Sequence, residues 1–587
     1  LPPVNLQTKK KKKTMFAVRQ SATKLVAGRL SLGGVRTLSA TSSSSSSASS
    51  YDVCSVSGAS SSLLKSFSPP SGGLSGAQRS LSSFCPPVKQ STGLGMNSVA
   101  RYGTKEKKTA GTDVGCGSHL VRGMIDGEAE LRKLVEKEKI ETVCVVFPDH
   151  LGRLMGKRYD AEFFLESIES GGQACNYLLT VDIDTQPRDG FRLANWQAGY
   201  GDFQLKPVLS TLRHATWLDR TAMVLCDLYS ESTGQLIEAA PRTILKRQVE
   251  RLKERNMVAR CATELEHFVY NDSYRQANAK SYKNLEPVGW FFADYNMMQG
   301  AREEPLNADI RSHLKRSGVP VETYKGEWGL GQGELNVAYA DALTMADRHM
   351  IFKQCSKEVA DQHGKSLTFM AKVSSKDAGS SCHIHMSLYD TAAKRNPFCA
   401  DPTDSSDDKA LLVNGQPTSH IFRHFLAGWM AKMPELMPFY APTINSYKRF
   451  SAGTFAPTSL TWSTDNRSAG FRIVGKGDAF RIECRIPGAD CNPYMALSAS
   501  IASGLWGIDN RIEPEPEYVG NAYEDRNVRR VPYSLSEAID RFAESEFAVE
   551  AFGEEMVTHY LHHFRLEQKA FNAAVTDWEQ KRYFEQV

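Results

Sequence analysis

The chain has 587 residues, 41% of them hydrophobic and 24% charged, an ordinary composition for a core-forming protein. Its formal charge of +4 is unevenly placed: Leu1 to Lys105 holds fourteen Lys and Arg against one acid, Asp52, so the remaining 482 residues carry about −9. The basic excess belongs to a tail and does not imply a nucleic-acid-binding body, and no run of eighteen apolar residues offers a membrane span.

Five lysines, Lys9 to Lys13, precede Met15, so the first fourteen residues read as translated upstream sequence. From Met15 the stretch MFAVRQSATKLVAGRLSLGGVRTLSA carries Arg19, Lys24, Arg29 and Arg36, many hydroxyls and no acid. That is the make-up of an organelle transit peptide, mitochondrial ahead of plastid; a plain disordered basic terminus on a cytoplasmic protein is the blander alternative. Serine, glycine and proline dominate to about Lys105, so residues 1–117 are expected to be a disordered tail. Folding is expected from Ser118, in a small domain over 118–234 and a large one over 235–587. GEAELRKLVEKEKI predicts a helix over Gly127–Ile140, and ETVCVVF a strand after it. CNYLLTVDID, DFQLKPV and TAMVLCDLY read as further short β runs between Gly, Asp and Pro turns. A helix over Arg242–Asn256 leads into the large domain. The C-terminal stretch reads as two or three surface helices, with His559, His562 and His563 exposed. Twelve cysteines without a CxxC pair fit a reducing compartment, and Cys382 and Cys484 read as buried thiols.

Four clusters carry the chemistry. In Cys261-Ala-Thr-Glu-Leu-Glu-His-Phe, Glu264 and Glu266 are two apart in a β-like run and share a face. Like charges facing one pocket are costly without a cation between them, although a solvent-facing edge strand explains the pair alone. Glu327-Trp-Gly-Leu-Gly-Gln-Gly-Glu334 places two carboxylates around a glycine-rich bend. Such a bend is either a surface turn or a backbone that approaches something closely or takes positive φ. His383 and His385 follow a glycine- and serine-rich loop and share a face if they lie on a strand. Oxygen donors with one imidazole suit Mg²⁺ or Mn²⁺, whereas the HExxH arrangement of many zinc sites is absent. Finally, Arg481, Glu483 and Arg485 alternate with Ile482 and Cys484, and Arg467 and Arg472 lie just upstream. Arginines facing carboxylates and metal are what phosphoryl transfer requires.

These residues resemble the glutamine synthetase family, class I fold, from about residue 135 to the C-terminus. The motifs are ELEHF, GEWGLGQGE, the Lys372–Ser387 stretch ending HIHMS, NSYKR, DNRSAGFR and RIECRIPGADCNPY. The resemblance implies an α+β protein with a small β-grasp-like N-terminal domain. Its large catalytic domain would hold a curved antiparallel sheet backed by helices, and the chains would assemble as stacked homo-oligomeric rings with active sites between subunits. It also implies two or more Mg²⁺ or Mn²⁺ ions, with ATP as cosubstrate. Glu266, Glu327 and Glu334 would hold one ion, and Glu264, His383 and Glu483 another. Arg449, Arg467 and Arg485 would grip glutamate or assist phosphoryl transfer, with Glu334 also in the catalytic group. Gly379 falls in the glutamate-binding loop, Arg472 and Arg481 near phosphate, and His385, Ser387 and Glu322 near the nucleotide. The implied reaction phosphorylates the γ-carboxylate of glutamate and lets an amine displace the phosphate, forming a γ-glutamyl amide.

Departures from the family pattern bear on the amine. Where ammonia-using members carry a flap glutamate within GYEAP, this chain has Gly453-Thr-Phe-Ala-Pro457, with Phe455 at that position. The DGSS loop is missing, and Lys372-Val373 replaces Lys-Pro. An aromatic side chain cannot accept a proton from ammonium but can line a pocket for a larger amine. The sequence is similar to the γ-glutamyl-polyamine synthetase and lengsin-like branch. An organic amine is the leading expectation. An ammonia-using synthetase and a non-catalytic lengsin-like homologue are the alternatives.

Overall fold

The computed structural model describes residues 122–401, 411–450 and 455–587. The transit peptide, the serine-rich tail, the expected start at Ser118, Gly453 and Thr454 lie outside them.

Within this span the chain is α+β. Six strands form the first sheet: β1 (Thr142–Pro148), β2 (Leu154–Asp160), β3 (Gly172–Cys175), β4 (Asp202–Pro207), β5 (Arg213–His214) and β6 (Thr221–Ser230). Their order is β2-β1-β6-β4-β3, with β5 paired to β6. The run TVCVVF shows no alternation because β1 lies inside the sheet and is buried along nearly its whole length. Helices Gly127–Glu136 and Ala161–Ser167 contribute Leu131 and Phe164 to the same core as Val143, Phe147, Phe203 and Leu205. The strand expected in CNYLLTVDID is absent. After Cys175 the chain enters a 3-10 turn at Asn176–Leu179, and the Asp182 carboxylate accepts the backbone N–H groups of Asp184 and Gln186. A short acidic side chain has taken the donors a strand would have needed.

Helix Pro241–Lys253 begins with proline at its first turn, where the missing N–H is not required. Its Arg242 is buried and bridges Asp227 of β6 to Asp347 of the long helix Ala342–Gln362. The Tyr494 hydroxyl donates to the same Asp347 at 2.6 Å.

The second sheet has nine strands: β7 (Met257–Tyr270), β8 (Val321–Gly326), β9 (Gln332–Val337), β10 (Ala340–Asp341), β11 (Ser366–Thr368) and β12 (Cys382–Asp390), then, after a separate hairpin of β13 (Leu411–Val413) and β14 (Gln416–Thr418), β15 (Trp462–Thr464), β16 (Phe471–Val474) and β17 (Arg481–Cys484). The order is β15-β16-β17-β12-β7-β9-β8, with β10 and β11 on β7. It is mixed rather than antiparallel throughout, because β15 and β16 run parallel. One face is apolar: Cys261, Leu265, Ile384, Met386, Ile482 and Cys484 join the large core with residues of helices Ala342–Gln362, His420–Lys432 and Pro493–Asp509. The alternate residues of the same strands project to the opposite face.

At the C-terminus the described residues contain four helices, Leu535–Ala543, Glu546–Phe552, Glu554–Ala573 and Asp577–Tyr583, rather than two or three on the surface. His559 and His563 are buried, not exposed. Their helix packs Met556, Tyr560 and Phe564 into the core, and the two histidines face His150 of the loop after β1, with ring centroids 5.8 and 4.6 Å away. Tight spacing among apolar residues carried them inside, where they stay neutral: burial pulls the pKa of His559 down to about 3 and those of His150 and His563 well below the usual imidazole value.

Candidate active site

Strand register assembles the four sequence clusters on the polar face of the second sheet. Glu266 of β7 lies opposite Glu334 of β9, and Glu264 lies opposite His383 of β12. His385 pairs with Glu483 of β17, and Glu483 with Arg472 of β16. Strand β7 sits between β12 and β9, so the solvent-edge explanation for Glu264 and Glu266 is set aside. The Gly-Gln-Gly bend shows both features expected of a functional turn. Gly331 has φ +72°, and a Cβ on Gly333 would meet the Tyr324 hydroxyl at 2.5 Å.

Two groups converge closely enough to share an ion each. Carboxylate oxygens of Glu266, Glu327 and Glu334 lie within 4.8 Å of one another, and so do ligand atoms of Glu264, His385 and Glu483. The second group was expected to contain His383. That imidazole is in place too, with Nδ1 3.0 Å from Glu264 and 3.8 Å from Glu483, while His385 Nε2 stands 2.8 Å from the other Glu264 oxygen. Glu264 thus meets both histidines, which share a strand face.

Electrostatics separates the two groups. Burial raises the Glu334 pKa, and the charges of Glu264 and Glu266 raise it further. Burial pushes Glu327 up to about 7 even though Lys325 hydrogen-bonds it. Three carboxylates, two buried and one half-buried, with one ammonium form an acid surplus that a divalent cation would neutralise. Burial also acts on Glu264 and Glu483, but their hydrogen-bonding and charged neighbours prevail. His383 and His385 hold Glu264 well below the usual carboxylate range, and Arg485 with the same histidines lowers Glu483. The oxygen-rich donor sets fit Mg²⁺ or Mn²⁺.

These residues line a cavity of about 1220 Å³ that also holds Gly379, Arg449, Phe455, Arg467, Arg472 and Arg485. A neighbouring cavity of about 450 Å³ is lined by His385, Ser387, Arg481 and Glu322, and shares Glu264, Glu322 and Asn336 with the first. Of the residues expected near nucleotide or phosphate, His385, Ser387 and Arg481 line the smaller cavity, Glu322 lines both, and Arg472 lines the larger one with Gly379, Arg449, Arg467 and Arg485. Arg449 is buried and donates to the Ile486 and Pro487 carbonyls. Gly379 packs on it so tightly that a Cβ would sit 2.3 Å from the Arg449 stem. Arg481 donates to His385 Nδ1 at 3.1 Å, and Arg472 bridges Asp465 and Glu483.

Ser381, Gln332 and Tyr523 were not among the expected site residues. Both Ser381 donors, N–H and hydroxyl, meet the Glu266 carboxylate at 2.8 and 2.5 Å. Gln332 Nε2 lies 3.2 Å from Glu266 and 3.0 Å from the Gly379 carbonyl, tying the carboxylate cluster to the glycine loop. Ser381 and Gln332 stand inside motifs already marked by their charged members, which is the signal that could have found them. Tyr523 reaches the cavity from a distant loop, and no motif announces it.

Residues 238–583 match the family model described as glutamine synthetase, catalytic domain. The chain belongs to the glutamine synthetase family. It is 44% identical over 463 residues to the γ-glutamylethanolamide synthetase GlnA4 of Streptomyces coelicolor, covering 78% of this chain and 96% of that one. To a glutamate–isopropylamine ligase of Pseudomonas it is 36% identical over 460 residues, 78% and 97% of the two chains. A solved structure of apo GmaS aligns with TM-score 0.66 and 26% identity over 77% of this chain and 98% of the other. This glutamine synthetase family member is an ATP-dependent glutamate–amine or glutamate–ammonia ligase.

Proposed function

We propose that this chain joins the γ-carboxylate of glutamate to an organic amine, with ATP as phosphoryl donor. The observation that carries the choice of amine is an aromatic wall at the cavity. Phe455, with φ 56°, meets Trp328 edge-on at 5.4 Å, and Trp328 stacks on Phe292 at 5.3 Å. Phe455 and Trp328 line the cavity with about half their surface open. Such a wall offers contact to an alkyl or aryl substituent and, for a cationic amine, the faces of its rings. The relatives named for ethanolamide and isopropylamine products support the same reading.

Glu266, Glu327 and Glu334 would hold one Mg²⁺ or Mn²⁺, and Glu264, Glu483 and the His383/His385 pair another; bound there, the ions would neutralise ATP phosphates and orient the carboxylate. Arg449, Arg467 and Arg485 hold the glutamate carboxylates, and Arg472 and Arg481 receive phosphate charge. The γ-carboxylate attacks the terminal phosphorus of ATP and ADP leaves. The amine nitrogen then attacks the γ-carbonyl carbon of the acyl phosphate, phosphate departs, and one proton leaves the nitrogen. Asp294 lines the same cavity as Phe455 and Trp328, 3.6 Å from Lys325, and is the acid we assign to take that proton. The first sheet forms a β-grasp-like domain over 118–234 ahead of the catalytic domain over 235–587. The protein works as a stacked ring in the mitochondrion.

The test is phosphate release with ATP, Mg²⁺ and glutamate against ammonium, methylamine, ethanolamine, isopropylamine, putrescine and spermidine. Preferential release with one organic amine, and its γ-glutamyl product by mass, is expected; a preference for ammonium overturns the amine assignment.

A further inference from the structure

Away from the catalytic cavities, a separate hollow of about 450 Å³ opens between the loop after β1, helix Ala342–Gln362 and the C-terminal helix Glu554–Ala573. It shares no lining residue with either of them. Its walls are apolar, with Phe369, Met370, Phe439 and Phe564, yet three cations enter it: Arg153, Lys353 and Lys357. The lysines are four apart on one face of their helix, a spacing at which like charges repel.

Arg153 is answered within the chain, by Asp149 at 2.8 Å and by the Ile183 and Asp182 carbonyls at 2.7 and 3.3 Å, whereas Lys353 has a backbone carbonyl, that of Ala489 at 3.2 Å, as its hydrogen-bond acceptor. Lys357 is an exposed residue; burial where it meets the hollow, then Lys353 and Arg153, pull its pKa down to about 8. Two acids face the hollow. Asp490 has one oxygen occupied by Thr443 and Ser446, at 3.0 and 2.6 Å, and burial raises its pKa. Glu567 is raised by burial and by Asp182 and Asp184. His150, 4% exposed, lines the hollow, and neither ring nitrogen has a partner; the Val181 backbone approaches it short of hydrogen-bonding geometry. A buried imidazole without a partner, beside Lys353 with a single carbonyl acceptor and the solvent-facing Lys357, marks a place built for an acceptor.

We propose that this hollow binds a small anion, a carboxylate or phosphate group on an apolar body, and that its occupancy is felt in the catalytic cavity. The head group meets Lys353, Lys357 and His150, and the body meets the phenylalanines. Transmission is short. Thr443 lines the hollow and caps helix Ile444–Lys448, whose next residue, Arg449, lines the catalytic cavity. Asn445 of that helix holds Lys372 by two backbone contacts at 2.8 and 2.9 Å. On the other side, Ala489 accepts from Lys353 and donates to the Ser380 carbonyl, beside Gly379.

Calorimetric titration of the full chain with hexanoate, phenylacetate, phenyl phosphate and inorganic phosphate tests the site, and the preferred head group distinguishes a carboxylate from a phosphate ligand. One saturable site per chain is expected for an apolar-bodied anion, unchanged by a saturating non-hydrolysable ATP analogue. Lys357→Ala should weaken it about tenfold, and Lys357→Arg should retain it. The bound anion should shift the glutamate KM about twofold in the wild type and leave it unmoved in Lys357→Ala, whose activity without anion stays at the wild-type level. Absence of binding up to about 10 mM, or equal binding in Lys357→Ala, overturns the site. Binding that leaves KM untouched overturns the effector role. The calorimetric arm does not depend on turnover, so failure of the ligase reading would remain distinguishable.

Discussion

Two clusters that each set carboxylates around a single cation behave in opposite ways. Around Arg242, the guanidinium meets Asp227 and Asp347, and Tyr494 completes Asp347. Burial would lower the Arg242 pKa, but these neighbours hold it above its ordinary value. Around Glu334, three carboxylates converge on one ammonium, and burial with neighbouring acids raises the Glu334 and Glu327 pKa values. The first cluster is complete as folded and fastens the first sheet to the helices. The second is complete only with cations supplied from outside. A buried charge cluster is therefore read by whether its charges are answered within the chain.

Removing one member of each cluster should expose that difference. Glu334→Ala is expected to lower turnover by roughly 10³-fold, while its unfolding midpoint without metal stays level or rises because repulsion is relieved. Arg242→Ala should destabilise the fold by about 3–5 kcal/mol, because two buried carboxylates lose their partner. Turnover and denaturant midpoints of both variants check the pair. A Glu334→Ala protein that unfolds as readily as Arg242→Ala would break the distinction.

The histidines His150, His559 and His563 are a third case, in which burial keeps ionisable groups neutral. Their folded pKa values lie below the unfolded value near 6.5, so the unfolded chain binds more protons below that pH. Stability from this cluster is intact above about pH 6.5 and falls as pH drops towards the folded values, by up to about 1.4 kcal/mol per pH unit for each ring. Denaturant midpoints between pH 7.5 and 5.5 should show that slope, and His559→Gln should flatten it. An unchanged slope would mean that other groups set the acid limit.

How far the sequence announced these clusters follows from distance along the chain. The catalytic face was legible because period-two spacing in β7, β12 and β17 places Glu264 with Glu266, His383 with His385, and Arg481 with Glu483 on one side of each strand. Which strands pair is a long-range fact, so the arrival of His385 as well as His383 beside Glu264 needed the register. Nothing within the helix sequence marks Arg242 as a buried anchor, because its partners lie 15 and 105 residues away. The buried histidines failed for a similar reason: the loop that covers them is about 400 residues upstream in sequence. Asp182 shows the local version of the limit, where side-chain capture of backbone N–H groups overrode a β-like composition.

The smallest expected effect concerns the end of the catalytic cavity where charge gives way to rings. Phe455 occupies a left-handed backbone position next to Trp328, so a carboxylate placed there would face the cavity without displacing core. Phe455→Glu is expected to raise the ratio of ammonium to organic-amine kcat/KM by about tenfold, and Phe455→Ala to weaken the preferred amine by a similar factor, mainly through KM. The two substitutions separate two ways the wall can act. If Phe455 selects by apolar contact, both variants lose the larger amine, and only the glutamate variant gains ammonium. If the ring merely fills space, Phe455→Ala would leave the organic amine unaffected or improve it, and selection would have to lie with Trp328 or Asp294. A ratio unmoved by Phe455→Glu would show that a carboxylate at this position is not sufficient to capture ammonium, and that the proton leaves by the Asp294 side whichever amine is bound.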